Sequence, residues 1–168
     1  MNKESVILVG MPGAGKSTLG VMLAKALARD FVDTDLLIQL RAGATLQEIL
    51  DEKGYQALRR LEEETLLGCD FRRHVIATGG SVVYSDAGMR HLKQYGPVVY
   101  LDVELDELRR RIHDYETRGI AKRPDQSFES LFEERRALYQ RYADIVVNCN
   151  GVTQEESLEQ LLAALRAG

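Results

Sequence analysis

The stretch GMPGAGKSTLG, Gly10 to Gly20, sits between an apolar run, SVILVG from Ser5 to Gly10, and an amphipathic helical pattern that begins near Lys16. Glycines this dense make a poor helix and a poor core. Gly10 to Ser17 fits G-x-x-x-x-G-K-[ST] in the setting that gives the motif meaning, after a strand and opening a helix. Backbone N–H groups converge there on phosphate oxygens, where side chains would block the approach, and the helix N-terminus adds a favourable dipole. The motif assigns Gly13, Ala14, Gly15, Lys16, Ser17 and Thr18 to a nucleoside triphosphate cradle. Lys16 reaches the β and γ phosphates, and the Ser17 hydroxyl ligates Mg²⁺.

A phosphate cradle alone leaves kinases, GTPase switches, motors and remodellers open. The guanine-reading pattern N-K-x-D is absent, and 168 residues leave little room for lever or assembly elements. A small-molecule kinase remains. Other classes are disfavoured by composition. Lys and Arg number 22 against 26 Asp and Glu, a formal charge of −4, which gives no support to a nucleic-acid binder. No apolar stretch approaches a membrane span, and no signal peptide is read. Cys69 and Cys149 lie far apart without metal-ligand spacing and fit a reducing compartment, so a cytoplasmic protein is expected. No apolar heptad or self-pairing edge is evident, and a monomer is expected.

Further apolar, β-rich runs lie at Phe31 to Asp35, His74 to Thr78, Pro97 to Val103 and Asp144 to Asn148. Helical patterns cover Ser17 to Ala28, Leu46 to Leu50, Tyr55 to Leu67, Ala87 to Gln94, Asp106 to His113, Phe128 to Tyr142 and Glu155 to Arg166. Runs without alternation, separated by helices, predict an α/β domain: a parallel sheet of five strands buried on both faces. Thr45 with Glu48 and Thr153 with Glu156 have capping-box spacing. Nothing splits residues 1–168 into two domains. The polar segment 113–127 has neither pattern, and a loop of that length inside a compact domain reads as a lid.

FVDTD places Asp33 and Asp35 at the carboxyl end of the second strand, beside the cradle. One carboxylate near Mg²⁺ and one near an incoming hydroxyl suit phosphoryl transfer. Asp35 also stands at the N-cap position of a helix expected from Leu36. Arg59 and Arg60 each have a glutamate four residues on, as ordinary ion pairs on a helix face would. The glycines of ATGGS, Ala77 to Ser81, allow close approach to a ligand or a tight turn.

The ordered set GAGKST, FVDTD, RR-LEEE, ATGG, VVYL, a lid with RP, and R-x-x-LY resembles the shikimate kinase family over almost the whole chain, from Val6 to beyond Tyr142. The resemblance implies a three-layer P-loop α/β fold with a mobile lid, related to nucleoside monophosphate kinases. It implies ATP-dependent phosphorylation of the 3-hydroxyl of shikimate, on the route to chorismate and the aromatic amino acids. By the same resemblance, Asp35 holds the acceptor hydroxyls and assists deprotonation, and Asp33 supports Mg²⁺ through water. Arg59 and Arg135 clamp the shikimate carboxylate, a task for which arginine is suited. Gly79 and Gly80 lend backbone donors to the acceptor. Arg123 swings onto the transferring phosphate, and Arg110 lies near the nucleotide.

The chain departs from the family where the acceptor sits. Ser81 stands where a third glycine is usual, and Asp125 and Gln126 follow Arg123-Pro124 where two leucines are common. Arg118 and Lys122 rival Arg123 as the phosphate-facing cation. A kinase of another small hydroxy acid or polyol, gluconate-like, is the alternative; a regulator that binds nucleotide without turnover is a further one.

Overall fold

A computed structural model of the chain describes residues 3–112 and 119–168. Five strands pair in parallel: β1 (Val6–Val9), β2 (Asp30–Asp33), β3 (His74–Ala77), β4 (Val98–Asp102) and β5 (Ile145–Asn148), in the order β2-β3-β1-β4-β5. Between them run α1 (Lys16–Leu27), α2 (Thr34–Ala42), α3 (Leu46–Leu67), α4 (Asp86–Lys93), α5 (Leu105–Arg111) and α6 (Phe128–Tyr142), and α7 (Gln154–Ala167) follows β5. All four residues of β1 are buried. With β4 they form the floor of a core to which Leu19 and Leu23 of α1, Leu131 of α6 and Leu161 of α7 each add a fully buried side chain. Each such side chain contributes about 1.5–3 kcal/mol of burial free energy. No helix among the described residues is long and apolar enough to cross a membrane.

The register sets the site. Ala77 at the end of β3 pairs with Leu8 of β1 on one side and Asp33 of β2 on the other. Three chain segments therefore leave the sheet side by side: the cradle after β1, Asp33 after β2, and Thr78-Gly79-Gly80 after β3. From β1 the strand order runs one way to β3 and β2 and the other way to β4 and β5, and crevices for ligands open at such a switch.

Two local expectations change. The first concerns α2, which begins at Thr34, two residues before the expected start, and its N-cap is Asp33 rather than Asp35. Asp33 keeps extended backbone angles at the strand end and accepts the Asp35 N–H at 2.9 Å, satisfying an otherwise orphaned donor. Asp35 thus enters the first helical turn instead of continuing the strand. The two helices expected at Leu46–Leu50 and Tyr55–Leu67 join into α3, which bends at Gly54, where φ is 83°. The capping box of Thr45 and Glu48 forms, and the Thr153 hydroxyl accepts the Glu156 N–H. Of the expected lid, residues 113–118 lie outside the described residues, and with them the rival cation Arg118.

Candidate active site

The cradle opens α1 on Gly15, whose φ of 94° is costly for any side-chain-bearing residue, and no side chain caps the helix. The first-turn N–H groups are thus presented toward an anion. A Cβ on Gly15 would also sit 2.9 Å from Gln154 Nε2. The Lys16 ammonium donates to the carbonyls of Gly10 and Met11 at 2.6 and 2.9 Å, folded against the loop it serves. Ser17 Oγ donates to Asp33 Oδ2 at 2.8 Å. Gly13 and Ala14 turn their carbonyls to Nη1 of Arg111, at 3.4 and 3.5 Å, and Thr18 is exposed in the first turn.

Beside the cradle lies a cavity of about 260 Å³, whose lining includes Lys16, Ser17, Asp33, Asp35, Glu62, Gly80, Ser81 and Arg135. Side chains pin its floor. Gly79 N–H donates to Thr34 Oγ1 at 3.1 Å, and the buried Tyr139 hydroxyl donates to the Gly80 carbonyl at 2.5 Å. Tyr139 stacks on Tyr100, ring centroids 5.2 Å apart. A Cβ on Gly79 would fall 2.5 Å from Asp35 Oδ1, and one on Gly80 the same distance from Arg135 Nη1. These two positions hold glycine because charged groups crowd the backbone.

Arg135 lines this cavity; Arg59 does not, and stands beside it through a shared carbonyl. Arg135 is 1% exposed, and its Nη2 donates to the Ala121 carbonyl at 2.9 Å. Arg59 Nη2 reaches the same oxygen at 3.4 Å, and its guanidinium lies 3.7 Å above the Tyr84 ring. Burial lowers the Arg59 pKa, and Arg135 opposes its charge further while Tyr84 offsets part of the loss. Each arginine keeps a buried Nε–H without a partner among the described residues. Two converging guanidiniums with orphaned donors are suited to an anion. The helix-face ion pair of Arg59 with Glu63 is not formed among the described residues: Glu63 accepts instead from the Ser85 hydroxyl.

Two sequence-named cations stand apart from the cavity. Arg110 is exposed and pairs with Glu107; its neighbour Arg111 turns inward to the cradle and to the Cys149 carbonyl. Arg123 is paired with Glu134 at 3.6 Å and does not line the cavity. Glu134 also accepts from the buried Gln126. Gln126, one of the two residues that depart from the family after Pro124, thus ties this segment to α6. Glu62 was not singled out in the sequence, where it reads as one of three consecutive glutamates. Its position three residues after Arg59 puts it on the same helix face.

A family model described as shikimate kinase matches residues 12–166. The chain is 34% identical over 164 residues to a shikimate kinase of Sulfurihydrogenibium sp. (strain YO3AOP1), covering 97% of this chain and 98% of that one. It superimposes on a shikimate kinase from Acinetobacter baumannii in complex with shikimate with a TM-score of 0.88 at 29% identity, covering 98% of this chain and 93% of that one. The match to the Aquifex aeolicus enzyme has a TM-score of 0.81 at 33% identity, covering 96% of each chain. A gluconokinase from Sinorhizobium meliloti shares the fold alone, at 18% identity and a TM-score of 0.58 over 98% of this chain and 93% of that one. With its cradle, its paired arginines and a match over nearly its full length, the chain belongs to the shikimate kinase family.

Proposed function

We propose that this protein transfers the γ-phosphoryl group of ATP to the 3-hydroxyl of shikimate, releasing ADP and shikimate 3-phosphate. The observation that carries the reading is Arg135, buried in the wall of a cavity that the nucleotide cradle also lines, with Arg59 beside it, each keeping an Nε–H without a partner among the described residues. A neutral polyol has no use for a buried guanidinium with a second, half-buried one beside it. A cyclic hydroxylated carboxylate has a use for both the arginines and the carboxylate of Asp35.

In the reaction, the acceptor oxygen bonds to the γ-phosphorus as the bond from that phosphorus to its bridging oxygen breaks. The hydroxyl proton passes to Asp35. Lys16 leaves the Gly10 and Met11 carbonyls for the phosphates, where its charge stabilises the spreading negative charge of the transition state. The Ser17 hydroxyl and Asp33 carboxylate are hard oxygen donors suited to Mg²⁺ that keeps water and phosphate as its other ligands. Ser17 and Asp33 would hold the ion, which would supply charge neutralisation to the phosphates. Gly79 and Gly80 bring the backbone close to the acceptor. Gly119, Ile120 and Ala121 line the cavity, and we assign this stretch to the lid that keeps water from the phosphoryl group. Arg123 enters the site only by leaving Glu134. We further propose a cytoplasmic monomer, a reading that its two free thiols support.

ADP release with Mg²⁺-ATP is the test, with shikimate, gluconate and homoserine as acceptors. Shikimate alone is expected to stimulate release at least about 100-fold, since a site built to pair a buried charge discriminates strongly against ligands that leave it unpaired. Equal stimulation by gluconate would transfer the assignment to the polyol kinases; ATP binding without release for any acceptor would indicate a regulator.

A further inference from the structure

The guanidinium of Arg59 faces two tyrosine rings, Tyr84 at 3.7 Å from its centroid and Tyr55 at 5.0 Å. Each ring is placed by local structure. Tyr84 ends a single 3-10 turn, Val82–Tyr84, directly after the ATGGS stretch; its N–H donates to the Ser81 carbonyl at 3.1 Å, and Val82 and Val83 are buried. Tyr55 stands one helical turn before Arg59 on α3, just after the bend at Gly54, and packs on the small apolar cluster of Ile38, Ile49, Leu58 and Ala121. The Tyr84 ring also lies 5.6 Å from the Arg135 guanidinium, so one face serves both arginines. Its hydroxyl is buried without a partner among the described residues, and the ring makes the contact. A π face attracts a guanidinium without neutralising it, and a stacked guanidinium keeps its N–H donors around the edge.

We propose that Tyr84 and Tyr55 are positioning residues that hold the Arg59 guanidinium by its flat face and leave its edge donors to the acceptor carboxylate. Arg59 is half-buried on a long, rotamer-rich side chain. Without the rings it samples other rotamers, and the acceptor has to order it on binding. Losing a ring therefore weakens acceptor binding in this chain while the transfer step and ATP binding continue. The role in acceptor binding rests on the reading above; the hold on Arg59 does not, and the test separates the two.

The variants are Tyr84→Leu, Tyr84→Phe and Tyr55→Leu, with kcat and the shikimate and ATP KM measured for each beside the parent. Tyr84→Leu is expected to raise the shikimate KM about fivefold, the scale of one cation–π contact. Its kcat and ATP KM stay within about twofold. Tyr55→Leu has the smaller effect, in line with its longer distance, and Tyr84→Phe keeps the parent KM because it keeps the ring. Replacing Tyr84 by phenylalanine with one, two and then three ring fluorines preserves the shape and drains the π face. The shikimate KM is expected to climb along that series, whereas a ring that only fills space leaves it flat. In the ligand-free protein the Arg59 Nε–H resonance, identified by its loss in Arg59→Lys, is expected upfield under the Tyr84 ring; it moves downfield in Tyr84→Leu and stays in Tyr84→Phe. A flat fluorine series, or an Arg59 resonance unmoved in Tyr84→Leu, overturns the proposal. Should the parent release no ADP with shikimate, the acceptor reading fails by itself, and the resonance decides the hold on Arg59.

Discussion

Lys16→Ala is expected to lower kcat by about 10³-fold or more while the protein keeps its fold. The side chain contributes little to the core: its ammonium satisfies two loop carbonyls, Gly10 and Met11, and water can replace it there. No other cation of the cradle takes its place, because Arg111 is held by Glu107 and by the carbonyls of Gly13, Ala14 and Cys149. Single-turnover phosphoryl transfer, with circular dichroism as the control on folding, gives the answer. Turnover within tenfold of the parent would remove Lys16 from the chemistry.

Arg135→Ala carries the second large effect, in the wall of the same cavity. Arg135 is almost fully buried, one Nη donates to Ala121 and its Nε has no partner among the described residues. Removing one member of a buried charge pair costs about 2–5 kcal/mol, which corresponds to a rise in the shikimate KM of about 30-fold or more. The ATP KM is expected to remain within about threefold, since the hydrogen bond of this guanidinium among the described residues goes to Ala121 and not to the cradle. Arg135→Lys keeps the charge but loses the planar fork, and recovers only part of the affinity. Equal losses toward ATP and shikimate would instead point to a folding defect caused by emptying a buried site.

The nucleotide half of the site was legible in the sequence because its geometry is local. Eight consecutive residues, a strand before and a helix after fix the cradle whatever the rest of the chain does. The acceptor half is assembled from α2, α3, α6 and the turn after β3, and no single segment announces it. Arg59 reads as a solvated residue with a glutamate partner until the fold lays it over Tyr84 and turns Glu63 toward Ser85. The ordered motifs of the family brought Arg59, Arg135, Gly79 and Gly80 into view where spacing was silent.

Elsewhere the misreadings have local causes. Asp33, Thr34 and Asp35 are all good cap residues, so the helix start was ambiguous by two positions, and the strand-end geometry of Asp33 decides it. Three consecutive arginines at 109–111 differ by about 100° each around α5, and only packing tells which turns to the cradle. Glu62 hid in a run of like residues. Ser81 was visible as a departure; its hydrogen bond to Glu62, 19 residues away in sequence, was not.

In the proposed reaction this kinase reads a carboxylate with Arg59 and Arg135 while it phosphorylates a hydroxyl beside the cradle. The most direct measurement compares shikimate with its methyl ester, which keeps every hydroxyl and loses only the charge, in Mg²⁺-ATP-dependent ADP release. The ester is expected to fall by at least about 100-fold in kcat/KM, because the buried Arg135 and the half-buried Arg59 lose the anion that answers their charge. An ester turned over as well as the acid would contradict the account, and the two arginines would need another purpose.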